Sequence, residues 1–381
     1  MPIMSVEVSY KKQFVFYTLF FFILLFAIEL GAKVFDWQQN YDQPPCDFIG
    51  NTALKNIEET AQYQICKDHN SLKYLVDGIL KFVPNQHMET IDINSHGFRG
   101  PEFSEEKQSD VYRVFFVGGS TSFGAASSES DTIPTLIQNE INNLDTGLKI
   151  EIINAGISSA YSFTEKYLIQ NDLAKFQPDL IIIYSGGNDS HNRYNETYHP
   201  HTVSSNQTNI SPTFIQVIKK IITDVDYKTP IILSKILTNV SNVIPVSESS
   251  KNQVQELWTT RMNETCNTNN DLGIETIVFV QPMLGSGDKQ LSDSEKIEIL
   301  KYNDIYNYHP VTLEILNNMA DSLNTLETTC DAVYDLTLIY DDIDETIYLD
   351  WIHTNYLGNK IIANEIYPII ITQIMSNHTD G

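Results

Sequence analysis

An alternation that begins at residue 111 and runs almost to the C-terminus constrains this chain more than any other feature. "VYRVFFV" (residues 111–117) is an apolar run of strand length. "TIPTLIQNEINNL" (132–144) then sets Ile133, Leu136, Ile137 and Ile141 at helical spacing. "LKIEIIN" (148–154) predicts a second strand, and "PDLIIIYSG" (178–186) a third. Between them "SFTEKYLIQNDLAKF" (162–176) predicts a helix, with Ser162 as N-cap and Glu165 completing a capping box. A polar, Asn- and Ser-rich insertion follows at about 190–250, holding one apolar-periodic piece at 213–225. Regularity returns with a helix at 250–264, a fourth strand at 274–283, a long helical stretch, a fifth strand at 331–339 and an amphipathic helix at 354–375. Strands alternating with helices of this length predict an α/β fold of three layers, α/β/α, around a parallel five-stranded sheet covered on both faces.

In such a sheet, ligands sit beyond the carboxyl ends of the strands. The chemical residues cluster there. Ser120 follows the first strand in "VGGSTSFG", Gly156 follows the second in "NAGISSAYS", and Asn188 follows the third in "SGGNDS". Asp350 and His353 lie in "YLDWIHTNYLG", between the fifth strand and the last helix. Acyl transfer needs this set of groups. A serine hydroxyl attacks an ester only when a base takes its proton, and a neutral imidazole such as His353 suits that role near pH 7. A carboxylate such as Asp350 holds the imidazole in one tautomer and offsets its developing charge. The oxyanion needs preorganised donors, and the Ser120 and Gly156 N–H groups and the Asn188 amide are the candidates. Glycines beside Ser120 let a substrate approach and leave the backbone N–H groups uncovered. Singly, each piece reads as turn or cap chemistry. Their joint order, each at a strand end, favours the hydrolytic reading.

These blocks resemble those of the SGNH hydrolases, or GDSL esterases/lipases, which are named for Ser, Gly, Asn and His in that chain order. The resemblance rests on "VGGSTSFG", "NAGISS", "GGND" and "DWIH" and covers residues 92–375. It implies a flavodoxin-like SGNH fold, the Ser120–His353–Asp350 roles and an acyl-enzyme, with no cofactor and no metal. Position 119 is Gly where the name-motif of the family has Asp. "NSHGFRGPE" (94–102) is similar to a segment of some members, without a role that its residues disclose. An O-acyltransferase acting on surface glycans would use the same triad. A catalytically silent SGNH-like surface-binding protein would keep the same scaffold.

The formal net charge of −25 disfavours nucleic acid as a partner. Residues 14–28, "FVFYTLFFFILLFAI", carry no charge and follow Lys11 and Lys12. Extended to residue 32, the run is long enough to span a bilayer, and it also has the length of a signal peptide. The expected organisation is therefore a cytoplasmic N-terminus (1–13), a transmembrane anchor or signal peptide (14–32), an N-terminal extension (33–110) and a hydrolase domain (111–376) outside the cytoplasm. Asn-x-Ser/Thr triplets at Asn195, Asn206, Asn209, Asn239, Asn263 and Asn377 suit a glycoprotein, although an Asn-rich chain makes such triplets by chance. Four cysteines permit disulfides Cys46–Cys66 and Cys266–Cys330, or four reduced core thiols. His191, His199 and His201 lack an acidic or cysteine partner in register and read as a solvated loop rather than a metal site. The acidic run at 341–345 reads as a hydrated loop. The partners expected are an ester-bearing small molecule, glycan or lipid, with O-acetyl esters of carbohydrates preferred, and a membrane through the N-terminal helix.

Overall fold

The computed structural model describes residues 9–41, 48–144, 147–191, 248–306 and 309–379. Most of the insertion lies outside these residues, with His199, His201, Asn195, Asn206, Asn209, Asn239 and the piece at 213–225; so does Cys46. Helix α1 (Tyr10–Tyr41) falls in a different compact unit from the sheet. Its residues Tyr10–Ala27 are long and apolar enough to cross a membrane by length and composition. Phe14, Phe16, Phe20, Phe21, Phe22 and Phe26 are each more than half exposed.

The second unit begins at Phe48. It opens with α2 (Glu59–Ser71), the hairpin β1 (Tyr74–Asp77) and β2 (Ile79–Phe82), and the short pair β3 (Gln86–His87) and β4 (Asp92–Ile93). The alternating part then follows as β5 (Val111–Gly118), α3 (Ser120–Phe123), α4 (Ile133–Asn142), β6 (Lys149–Gly156), α5 (Ser162–Leu168), β7 (Leu180–Ser185) and α6 (Gly187–His191). It continues with α7 (Glu248–Asp271), β8 (Glu275–Val280), α8 (Asp293–Tyr306), α9 (His309–Asp321), β9 (Ala332–Asp335) and α10 (Tyr356–Thr379).

The central sheet is parallel, in the order β6-β5-β7-β8-β9. Both faces are covered, and side chains alternate between them. Phe115, Val117, Ile181, Ile183, Val278 and Val280 pack with Trp258 and Met262 of α7 and with Ile315, Leu316 and Met319 of α9. Val114, Phe116, Ile182, Ile277 and Phe279 pack on the opposite face with α4 and α10. The last helix seals that face because Ile362, Ile366, Ile370 and Ile374 recur every fourth residue and are all fully buried. Strand β6 is an edge, and a side chain closes part of it. Gln138 donates to the Ile150 carbonyl and accepts from the Ile152 N–H, as a neighbouring strand would. Residues of the extension share this core: Leu72, Ile79, Phe82, Ile91, Ile93 and Phe98 lie in the same cluster as α7 and α9.

Two local expectations are corrected. The fifth strand stops at Asp335, whose side chain accepts the Thr337 N–H and turns the chain. The helix at 162–176 is α-helical only to Leu168, widens into a π turn at Ile169–Leu173 and tightens into a 3-10 turn at Ala174–Phe176.

Cys266 and Cys330 form a disulfide across a sequence separation of 64, joining α7 to the approach of β9. Cys66 is disulfide-bonded as well. Closing a loop of that length restricts the unfolded chain, so replacing Cys266 and Cys330 together with alanine should cost about 4 kcal/mol. Denaturant unfolding of the double variant measures this; an unchanged midpoint would mean the link restrains nothing.

Candidate active site

The order of the sheet makes a switch point. Strand β5 leaves toward β6 on one side and is followed on the other by β7, so the loops after β5 and β7 diverge and open a crevice. Ser120 stands at the end of β5 and Asn188 just past β7.

Gly118 and Gly119 let the chain turn sharply here. A Cβ on Gly118 would meet the Tyr184 carbonyl at 2.3 Å, so only glycine allows β5 to stay paired with β7 to its last residue. A Cβ on Gly119 would lie 2.5 Å from Asn188 Nδ2. The glycine that replaces the family's Asp thus provides the space in which the Asn188 amide rests. Ser120 opens the short helix α3, so its own N–H has no intrahelical acceptor. Gly124, in the left-handed region at φ +84°, ends that helix and donates to the Ser120 carbonyl at 2.8 Å.

The loop before α10 brings in the imidazole. His353 Nε2 lies 2.8 Å from Ser120 Oγ, and its Nδ1 lies 2.7 Å from Asp350 Oδ2. Asp350 is held in turn: its Oδ1 accepts the N–H groups of Ile352 and His353 at 2.8 and 2.7 Å. The Leu349 N–H closes the turn onto the His353 carbonyl. Burial pushes the Asp350 carboxyl up, but the His353 charge and these hydrogen bonds outweigh it and hold it below its ordinary value. Burial pushes His353 down, and the Asp350 charge and hydrogen bond overcome that to raise it above 6.5. The arrangement can therefore accept a proton from Ser120 Oγ and stabilise the resulting imidazolium.

Asn188 donates through Nδ2 to the Ala160 carbonyl at 2.6 Å, which leaves the other amide hydrogen for a ligand. Gly156 is a correction. Its N–H donates to Asn154 Oδ1 at 3.0 Å, and a Cβ there would lie 2.3 Å from the Phe123 N atom. Gly156 lets α3 rest against the end of β6, and its N–H is already engaged.

The capping box is a second correction. Tyr161, not Ser162, is the N-cap of α5, and its carbonyl accepts the Glu165 N–H. The Asp189 carboxylate receives the Ser162 N–H at 2.9 Å and the Ser162 hydroxyl as well, so a tertiary acceptor displaces the local one. Arg261 Nη1 lies 3.9 Å from Asp189 and donates to Ser162 Oγ. Glu165 turns inward instead and accepts from Ser185 Oγ at 2.6 Å, and Trp258 Nε1 donates to that hydroxyl at 3.3 Å. Burial, then the Asp189 charge, pushes the Glu165 carboxyl well up; burial also raises Asp189 against its hydrogen bonds and Arg261. This buried network anchors the residue next to Asn188 to the start of α5.

Sequence reasoning found no role for "NSHGFRGPE", and the fold supplies one. The fully buried guanidinium of Arg99 donates to the carbonyls of Phe123, Gly124 and Ser127 and pairs with Glu129 at 3.0 Å. It ties down the end of the helix that Ser120 begins. Asn94 folds the preceding turn by accepting the N–H groups of His96 and Phe98. Among the described residues, no group of three or more His, Cys, Asp or Glu side chains is placed to hold a metal ion. His191, at the end of α6, stacks on Trp351 with centroids 4.4 Å apart.

Residues 114–366 match the family described as GDSL-like lipase/acylhydrolase. Among solved structures, a putative lipolytic protein of the G-D-S-L family from Desulfitobacterium hafniense is 12% identical, with a TM-score of 0.38, over 68% of this chain and 98% of its own. An acetylxylan esterase from Geobacillus stearothermophilus is 15% identical, with a TM-score of 0.36, over 66% of this chain and 91% of its own. TesA is 15% identical, with a TM-score of 0.37, over 67% and 96%. No curated protein matches. The family match spans more than half of the chain and includes Ser120, Gly156, Asn188, Asp350 and His353. The protein belongs to the GDSL-like lipase/acylhydrolase family and is a hydrolase of ester bonds.

Proposed function

We propose that the protein is a membrane-anchored serine esterase that removes acyl groups, O-acetyl by preference, from carbohydrates outside the cytoplasm. The observation that carries this reading is the unbroken line from Ser120 Oγ through the His353 ring to Asp350, at 2.8 and 2.7 Å. His353 Nε2 takes the proton as Ser120 Oγ bonds to the ester carbonyl carbon. The oxyanion is met by the Ser120 N–H and the free hydrogen of the Asn188 amide, each donor worth about 3 kcal/mol in the transition state. Collapse breaks the bond to the leaving alcohol, which receives the proton from His353. Water, deprotonated by the same nitrogen, then releases the acyl group and restores the Ser120 hydroxyl.

Three features support the location. Lys11 and Lys12 precede the apolar run, α1 is long and apolar enough to cross a bilayer, and the Cys266–Cys330 disulfide suits an oxidising compartment. The test uses the full-length protein in detergent. A fluorophosphonate probe should label Ser120, identified by peptide mapping, and mono-O-acetylated methyl glucoside should release acetate. Absence of both labelling and acetate release would overturn the reading. Alkaline carbonate washing of membranes should leave the chain in the pellet; recovery in the supernatant, cut near residue 32, would identify a signal peptide instead.

A further inference from the structure

The extension that precedes the sheet contacts the turn after β6 and the short helix that Ser120 begins. Ser158 lies in the turn after β6, beside the exposed Ser159, whose φ of +66° gives the turn its shape. His69, on α2, has Nε2 3.4 Å from Ser158 Oγ. Tyr74, at the start of β1, interacts with the same hydroxyl through its phenol and is 36% exposed.

His69 is held firmly. Cys66, one turn earlier on α2, is fully buried and disulfide-bonded. Asp68 accepts the Thr90 N–H and hydroxyl at 2.7 and 2.8 Å, which ties the helix to the loop leading into β4. The His69 ring lies 6.0 Å from Phe123, the last residue of the helix that Ser120 begins. Burial, then the positive charges of His353 and Arg99, keeps His69 below its ordinary value. A neutral imidazole both donates and accepts, as a phenol and a serine hydroxyl do. Imidazole, hydroxyl and phenol thus form a row on the β6 side of Ser120.

The β7 side carries a different surface. There Trp351, between Asp350 and His353, is stacked by the His191 ring at 21°. Because β5 lies between β6 and β7, Ser120 stands between a polar row and an aromatic pair. A leaving group with many hydroxyls and flat aliphatic faces suits such a pair of walls. An alkyl leaving group would strip water from the polar row without replacing those hydrogen bonds.

We propose that His69 and Tyr74 are specificity-determining residues that hydrogen-bond the hydroxyl-bearing leaving group, selecting acyl esters of carbohydrates over those of hydrophobic alcohols. This inference rests on Ser120 as the nucleophile. Its test compares mono-O-acetylated methyl glucoside with hexyl acetate, using the full-length protein in detergent. His69→Phe and Tyr74→Phe should each lower kcat/KM on the sugar ester by about 10- to 100-fold, mostly through KM, and on hexyl acetate by about threefold at most. His69→Gln, which keeps a donor and an acceptor, should recover much of the loss. Parallel losses on both substrates, or no loss on the sugar ester, would overturn the assignment. Fluorophosphonate labelling of every variant separates the two levels. A wild-type protein that is not labelled at Ser120 sinks the nucleophile and this inference together, whereas labelled variants with parallel losses sink only the role of the extension.

Discussion

Replacing Ser120 with alanine should lower kcat for ester hydrolysis by about 10⁴-fold or more while the unfolding midpoint stays unchanged. Among the described residues the hydroxyl's side-chain hydrogen bond is to His353 Nε2, so its removal leaves an acceptor that solvent can reach; the His353 and Asp350 side chains are 21% and 31% exposed. Nothing packed is lost. In the proposed reaction, what disappears is the atom that bonds to the acyl carbon. His353→Ala should be about as damaging alone, and the Ser120→Ala/His353→Ala double variant should be no worse than either single one, because both act in the same step. Acetate release under single-turnover conditions measures all three. Losses that multiply in the double variant would mean that the two residues act independently, and labelling that persists in Ser120→Ala would place the nucleophile elsewhere.

Asp350→Asn has the second-largest expected effect, also about 10⁴-fold on kcat. Its physical basis is the tautomer. Oδ1 is already occupied by the N–H groups of Ile352 and His353, so an asparagine must keep its oxygen there and turn its NH₂ toward His353 Nδ1. The imidazole then accepts at Nδ1 and carries its proton on Nε2, where it can no longer take one from Ser120. The pH dependence adds an independent readout. The neutral ring is the active form, and His353 is raised above 6.5 by the Asp350 charge. Wild-type kcat/KM should therefore climb with pH through an inflection above 6.5, and activity is lost as pH falls through it. Without the carboxylate that inflection should move downward. A profile that stays where it was would mean that Asp350 does not face the titrating group.

The candidate groups were legible because Ser120 and Asn188 follow apolar strands and glycines, while Asp350 and His353 sit among polar turn residues before the last helix. The strand at 111–117 and the abrupt Gly118-Gly119-Ser120 stop predict a hydroxyl at a sheet end from local chemistry alone. "DWIH" likewise encodes its own turn, since Asp350 caps the N–H groups two and three residues on. Gly156 misled for an equally local reason. A glycine after a strand looks like an uncovered donor, and only the approach of Asn154 and α3 reveals that its N–H is engaged and its bare Cα is what matters. Ser162 and Glu165 misled in the same way: their spacing matches a capping box, but Asp189 and Ser185 are stronger partners.

By itself the sequence determined the α/β alternation, the two-faced burial of the strands and the chain order of the Ser120, Asn188, Asp350 and His353 blocks. These depend on periodicity and on turn residues, which act over a few positions. Tertiary structure alone decided which backbone N–H groups near Ser120 are engaged, what Arg99 holds, and that His69 and Tyr74 of the extension meet Ser158 after β6. Those contacts join segments far apart in the chain, where no spacing rule operates, and they exist only because the folded sheet brings its loops to one rim.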